Sequence, residues 1–436
     1  MLTFFENAAG NGTQSFGPSV DRWNSAHFLD TAEFSAAFGI AYDWLYDIWT
    51  PDQKSQIMFT LIEYGLGPGV AAYNDPTVWT GWWKTNTTGN WNCVCNGGLT
   101  LGSLAILDDD TSGTASQLLS LTINDAKQNC AMAVSDDGTW AETANYWYFF
   151  FELTVASSLI TLTGTLEPLA LLSKFFFYRL CVSCSQMPRM ASSLITATGS
   201  DYGLLDVNPD FSLTGDFHMY VYGTTSLFNY GDHGPNKYST TANAMFLFAS
   251  HYNKPEYSLF QRDRPDAAEP WSMFWYDPTV FGAYWDSKPL DHFFNNNTDQ
   301  WVSMRSSWTD MNAMYVAMKA GTLQGHQTHN DLDCGDFVLD FGGTRWAGEL
   351  GSGDYNSPNY FSNDTQQSDR WLYYRKMTEG QNTILINQAN QLVTAAPTII
   401  NSGSSNTTQG SSTVFDVPSD STAFWVADIS SAYADA

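Results

Sequence analysis

Residues 325–360, GHQTHNDLDCGDFVLDFGGTRWAGELGSGDYNSPNY, decide how this chain is read. Phe337-Val338-Leu339 and Arg345-Trp346-Ala347 are short apolar runs parted by Gly342-Gly343, the pattern of a β-hairpin. The same stretch holds two histidines (His326, His329), five aspartates, one glutamate and two tyrosines (Tyr355, Tyr360). Extended backbone alternates its side chains, so His329, Asp331 and Asp333 are expected on one face. An imidazole beside carboxylates is costly to bury without a partner or a task. The stretch is therefore a candidate site as well as a strand pair. A polar loop capping a sheet is the plainer reading.

Upstream, the periodicity is helical. Phe34, Phe38, Ile40, Tyr42, Leu45 and Ile48 recur at helical spacing, and Trp49-Thr50-Pro51 marks the joint to a second helix around 57–61. Similar apolar pairs follow at 99–107 with 115–133 and at 146–162 with 168–182, then a helix at 241–251. Successive helical hairpins predict a toroid or solenoid. Downstream of about residue 289, short strands are expected at 301–305, 313–319, 336–340 and 383–386, with turn signals between them. The order is an all-α domain, 1–285, followed by an antiparallel β domain, 286–436. The β part stops in mid-pattern and is expected to be incomplete.

Composition narrows the function. A chain of 436 residues with 43% hydrophobic and 15% aromatic residues can fill two cores. A net charge of −27, with 18 Lys+Arg against 45 Asp+Glu, argues against nucleic acid or an anionic membrane as partner. Sparse charge with abundant Trp, Tyr, Asn, Ser and Thr fits a secreted, carbohydrate-active protein. Sequons at Asn11, Asn86, Asn296, Asn363 and Asn406 suit a glycoprotein. Six cysteines allow disulfides or core thiols; Cys93-x-Cys95 and Cys181-x-x-Cys184 lack a second pair at zinc-finger spacing. Residues 1–24 contain no apolar leader core, so a leader is expected to have been removed, or the chain is a fragment. The apolar run 159–172 is broken by Gly164, Glu167 and Pro168 and is too interrupted to span a membrane. Oligomeric state is not readable.

Three motifs stand in the helical half. Asn90-Trp91-Asn92 opens a predicted helix, where amides and free N–H groups can receive a carboxylate; an N-cap beside a packed Trp is the structural alternative. Asp136-Asp137-Gly138 leads into Tyr146-Trp147-Tyr148, and Asn229-Tyr230-Gly231-Asp232-His233 reads as a cleft loop.

Taken in order, NWNCVCNGG, DDGTWAETANYWY, FNYGDHG, QWVSMRSSW, THNDLDCGDFVLDFGGTRWAGELGSGDY and RKMTEGQNTILI resemble the heparinase II/III-like polysaccharide lyases, a group that includes heparinase II and the oligoalginate lyases. The resemblance runs over about 37–386 and implies an incomplete (α/α) toroid followed by an antiparallel β-sandwich, with the cleft where they meet. It implies β-elimination at a uronate, which needs the carboxylate neutralised, a base for the C5 proton and an acid for the leaving O4. By resemblance Asn92 neutralises the carboxylate, with Asn90 beside it. Tyr148 is the toroid's tyrosine, with Tyr146 in reserve. His329 is the base histidine and Tyr360 the sandwich tyrosine. His326, His233, Arg305 and Tyr355 are substrate-binding candidates, with Arg345, Arg370 and Arg375 as further local positive charge. The family's zinc ligands fall at Asp331, Glu349 and Gln381, which are oxygen donors; zinc is not expected. Either a structural calcium or an arginine (Arg345 or Arg375) paired with Glu349 or Asp331 is expected there, and no cofactor is required. The acidic chain favours a non-sulfated uronate polymer such as alginate, glucuronan or a hyaluronan-like glycan. The alternatives are a glycoside hydrolase using Asp331, Asp333 and Glu349, and a non-catalytic glycan binder.

Overall fold

The computed structural model describes residues 23–147, 183–233, 242–264, 267, 270–286, 288–296, 298–326, 329–396, 413–416 and 423–433. They fall into two compact units. One runs to Ala133 and takes in 183–209; the other comprises 134–147 and the described residues from Asp210 onward.

In the first unit, long helices span Phe28–Trp44, Pro51–Leu61, Asn90–Ala105, Thr114–Gln128 and Ser183–Thr198. The joint read at Trp49-Thr50-Pro51 has a local cause. Thr50 accepts the Gln53 N–H and the Gln53 side chain accepts the Thr50 N–H, while Pro51 occupies a first-turn position where no donor is needed. Helix Asn90–Ala105 is buried along its whole middle, Asn92 through Ser103. Its Val94 and Leu99 share a core with Trp23, Phe28, Phe38 and Leu118. A disulfide joins Cys93 to Cys130 across a sequence separation of 37. Closing such a loop in the unfolded chain stabilises the fold by about 4 kcal/mol on chain-entropy grounds. Cys95 is a buried free thiol. The helix pair expected at 146–162 and 168–182 lies outside the described residues beyond Trp147, as do Cys181 and the side chain of Cys184.

In the second unit, helices Thr214–Val221, Ala244–His251 and Pro255–Arg262 precede five antiparallel strands. These are β1 (His292–Asn295), β2 (Gln300–Arg305), β3 (Tyr315–Lys319), β4 (Phe337–Phe341) and β5 (Thr344–Ala347), hydrogen-bonded in that order. Strands β6 (Thr413–Asp416) and β7 (Phe424–Ala427) make a second sheet. Trp425 of β7 packs with Val302, Ala320, Met304 and Met318, an apolar layer between two sheets. The β4–β5 hairpin forms where Gly342-Gly343 was read. Their φ angles of 60° and 72° need left-handed backbone at both turn residues, which glycine adopts without a Cβ clash.

Three expectations are corrected. The chain does not divide at 286. Phe217 lies 5.8 Å from both Phe294 and Trp301, so the helices after Asp210 share their aromatic core with the sheet. Residues 329–336 are loop and turn, with β4 beginning at Phe337. Residues 383–386 carry only the isolated bridge between Ile386 and Ala389. Side chains hold both loops in place of a ladder: Asp336 accepts the Asn382 N–H at 2.8 Å, and the Thr383 hydroxyl donates to Cys334 O at 2.6 Å. No helix among the described residues is long and apolar enough to cross a membrane.

Candidate active site

His329 is the centre of the site, and all of its described partners lie in the second unit. Its backbone carbonyl accepts the Asp232 N–H at 2.8 Å, which locks its loop to the 229–233 loop. Its ring Nδ1 is 2.9 Å from Asp232 Oδ2. A carboxylate there places the hydrogen on Nδ1 and leaves the lone pair on Nε2. Nε2 faces Glu142, with Oε1 3.5 Å away. The ring stacks on Tyr146 at 3.9 Å between centroids.

Asp232 is wholly buried and heavily held. The Tyr360 hydroxyl donates to Oδ1 at 2.5 Å, and the Lys376 ammonium reaches the same oxygen at 2.5 Å. The Arg370 guanidinium donates to Oδ2 at 3.3 Å. Burial alone would raise the Asp232 carboxyl pKa, but Lys376, the hydrogen bond from His329 and Arg370 together hold it well below the usual range. Burial lowers the His329 pKa, and Arg370 and Lys376 oppose its protonation further, outweighing the pull of Asp232. At neutral pH His329 is thus a neutral imidazole with a fixed tautomer, fit to accept a proton.

The tyrosines are tuned the other way. Burial, then neighbouring acidic groups, raises Tyr146 and Tyr355 well above the ordinary phenol value. Their hydroxyls are hydrogen-bonded to one another. They remain protonated and can relay a proton. The site opens on one side: the His329 side chain is 13% exposed, Tyr355 37% and Phe361 38%. Exposed rings around a base suit stacking against a sugar.

The other predicted residues divide. Tyr146, Tyr355 and Tyr360 join His329; Tyr148 lies outside the described residues. Asn92 and Asn90 belong to the first unit and are buried. Asn92 gives one amide hydrogen to Trp83 O at 3.1 Å and the other to Asp125 at 2.8 Å, while its oxygen accepts from Asn96 at 2.9 Å. This geometry leaves it no N–H for a substrate carboxylate. His326 is buried, its ring nitrogens 2.6 Å from Ala141 O and 3.0 Å from Thr322 O, so it ties loops together. His233 is buried, and its carbonyl accepts the Ser352 N–H at 2.8 Å. Arg305 is also buried: it donates to Tyr220 O at 3.2 Å and Tyr222 O at 2.9 Å and lies 3.7 Å over Trp308. Burial makes each of these three a structural residue.

The positions that match the family's metal ligands do not fit a metal. Asp331, Glu349 and Gln381 offer only oxygens, unsuited to zinc. The Lys376 ammonium lies 2.6 Å from Asp331 Oδ1, a positive charge in the place a dication would take. The Gln381 amide donates to Arg375 O at 2.7 Å. Among the described residues no three His, Cys, Asp or Glu are grouped to hold a metal. The cation at Asp331 is Lys376, not the expected Arg345 or Arg375: Arg345 pairs with Asp340 at 2.5 Å. Burial, then the charge of neighbouring carboxylates, raises Asp336 to about 7 and Glu349 well above its ordinary value. That repulsion is relieved by retained protons.

Sequence reading passed over Asp232, Arg370 and Lys376 as a unit. The available signal was Asp232 itself, a lone acid beside His233 in a glycine-flanked loop.

Comparison with known proteins completes the description. Residues 300–433 match the family described as heparinase II/III-like, C-terminal. No curated protein matches the chain. Among solved structures, a heparinase III crystal structure superposes with a TM-score of 0.55 at 12% identity, covering 92% of this chain and 52% of its own. A second heparinase III structure gives a TM-score of 0.51 at 12% identity, covering 85% of this chain and 47% of its own. The chain thus spans about half the length of these relatives and shares their fold, an α/α toroid followed by a β-sandwich. Residues 300–433 thus resemble the heparinase II/III-like C-terminal domain, and the chain as a whole shares the heparinase III fold.

Proposed function

We propose that the protein is a polysaccharide lyase that cleaves a uronate-containing glycan by β-elimination. The observation that carries this reading is His329: neutral, fixed through Nδ1 by a buried carboxylate, partly exposed, and stacked on a tyrosine whose hydroxyl meets a second one. In the proposed reaction Nε2 takes the C5 proton, the electron pair forms the C4=C5 double bond, and the C4–O4 bond breaks. The Tyr146–Tyr355 hydroxyl pair supplies the proton that O4 needs as it leaves. Tyr148 stays a proposed partner in this step by resemblance alone. The heparinase name of the solved relatives supports an acidic polysaccharide as substrate. The scarcity of Lys and Arg favours a non-sulfated one. We further infer an exported, glycosylated protein, supported by the Cys93–Cys130 disulfide and the exposed sequon at Asn363.

A hydrolase reading gains no support. Asp331 and Asp333 are buried against Lys376 and Lys319, at 2.6 and 2.7 Å, and face no opening for a sugar. The test is a panel of alginate, glucuronan, hyaluronan and heparan-type polymers assayed for unsaturated, ultraviolet-absorbing products. A rise in absorbance on a uronate polymer is expected. New reducing ends without absorbance would make the protein a hydrolase; binding without cleavage would make it a glycan-binding relative.

A further inference from the structure

β-Elimination demands a cation or donor set at the substrate carboxylate, and Asn92 has no donor left to give. We propose that Arg375 takes that carboxylate, an inference that rests on the lyase reading and assigns the recognition step within it.

Charge pairing singles Arg375 out. The buried or half-buried cations around the site are already matched to carboxylates: Lys319 to Asp333, Arg345 to Asp340, Arg370 and Lys376 to Asp232. Arg375 is half-buried and has no carboxylate partner among the described residues. Its Nη1 donates to the carbonyls of Leu350, Gly351 and Ser352 at 3.3, 3.5 and 2.6 Å. Its own carbonyl is fixed by the Gln381 amide at 2.7 Å. One edge of the guanidinium is therefore anchored, while Nε and Nη2 have no hydrogen-bond partner among the described residues. In a chain of net charge −27, an oriented guanidinium without an acid is a ready partner for a ligand acid.

Its position ties it to the site. Gly353 lies against both Tyr360 and Arg375: a Cβ built there would stand 3.1 Å from Tyr360 Cε2, 3.2 Å from Arg375 Cδ and 3.5 Å from its Nε. The Gly353 N–H donates to the Tyr360 hydroxyl at 2.9 Å, and that hydroxyl donates to Asp232, which holds His329. The absent side chain at 353 keeps this edge of the arginine clear. Lys376, the next residue, turns inward to Asp232 and Asp331 instead. The two neighbouring cations thus have different work: Lys376 fixes the base's holder, and Arg375 meets the substrate's acid.

The experiment is calorimetric titration of the whole chain with an unsaturated oligouronate and with its carboxyl-reduced counterpart. The parent protein is expected to bind the oligouronate about 10- to 100-fold more tightly, the range of a charge-assisted pair. Arg375→Gln should abolish that preference, and Arg375→Lys, which keeps charge but loses the fork, should reduce it severalfold. Should the glutamine variant unfold, the lysine variant decides alone. A preference that is missing from the parent, or unchanged in the folded variants, overturns the assignment. A parent that keeps the preference but yields no unsaturated product would sink the lyase reading while leaving Arg375 as a carboxylate-binding residue.

Discussion

Two buried polar clusters, one in each unit, look alike in sequence and behave differently in the fold. In the helical unit Asn92, Asn96 and Tyr73 converge on Asp125, and the donors of both amides end on protein acceptors. In the second unit His329, Tyr360, Arg370 and Lys376 converge on Asp232, but His329 keeps its Nε2 lone pair and a 13% exposed edge. The first cluster is closed, with every valence spent on holding helices together. The second leaves His329 Nε2 without a hydrogen bond among the described residues, on a ring with a partly exposed edge. A polar cluster becomes a site through what it leaves unspent, not through how polar it is.

The largest effect is expected at the hub of the open cluster. Asp232→Asn removes the counter-charge of two buried cations, and breaking a buried ionic group by removing one partner costs about 3–5 kcal/mol. Denaturant unfolding measures it. The remaining activity should lose its acid limb to lower pH, because Lys376 and Arg370 then oppose protonation of His329 without Asp232 to favour it. A variant with parental stability would show that Asp232 is not the hub.

Next comes His329→Ala, which should reduce turnover by about two orders of magnitude or more while the melting temperature stays near the parent's. Near-normal turnover would make the second cluster as structural as the first. The converse is expected of Asn92→Ala: a stability loss of about 1–3 kcal/mol from stranded buried partners, with turnover per folded molecule near the parent's. A large loss of turnover in a stable Asn92→Ala protein would restore the carboxylate-neutralising role to that residue.

The smallest effect is a pH trend. Burial raises Asp299 and Asp331 to about 6 and Asp336 to about 7. A carboxyl raised in the folded state contributes stability that is present below its unfolded value of about 4 and is lost as pH climbs through the folded value. Asp232 runs opposite: its contribution is present above about 4 and lost on acidification. His218, His292 and His329, held neutral by burial, gain stability as pH rises toward their unfolded value of about 6.5 and offset the carboxyls below it. Melting temperature should therefore fall between about pH 6.5 and pH 8. Asp336→Asn should flatten the fall; a rising curve in the parent would contradict it.

Sequence alone determined what depends on neighbours along the chain. The Thr50–Gln53 capping box, the helical spacing of 34–48, the Gly342-Gly343 turn and the switch from helix to strand are local, because hydrogen bonds over three or four residues and backbone sterics set them. That His329 would sit beside carboxylates was also legible, though its partners are Asp232 and Glu142 and not the neighbouring Asp331 and Asp333. Tertiary structure decided which polar groups meet. Asp232 reaches His329 across 97 residues, Tyr360 across 128 and Arg370 across 138. No periodicity encodes such pairings. They follow from packing and from the rule that a buried charge must find its opposite. The related rule that buried polar groups are hydrogen-bonded closed Asn92, Arg305 and His326 into the structure, while Arg375 stands without an acid of its own among the described residues. Residue type suggested roles for all four; only the three-dimensional tally of donors and acceptors separated them.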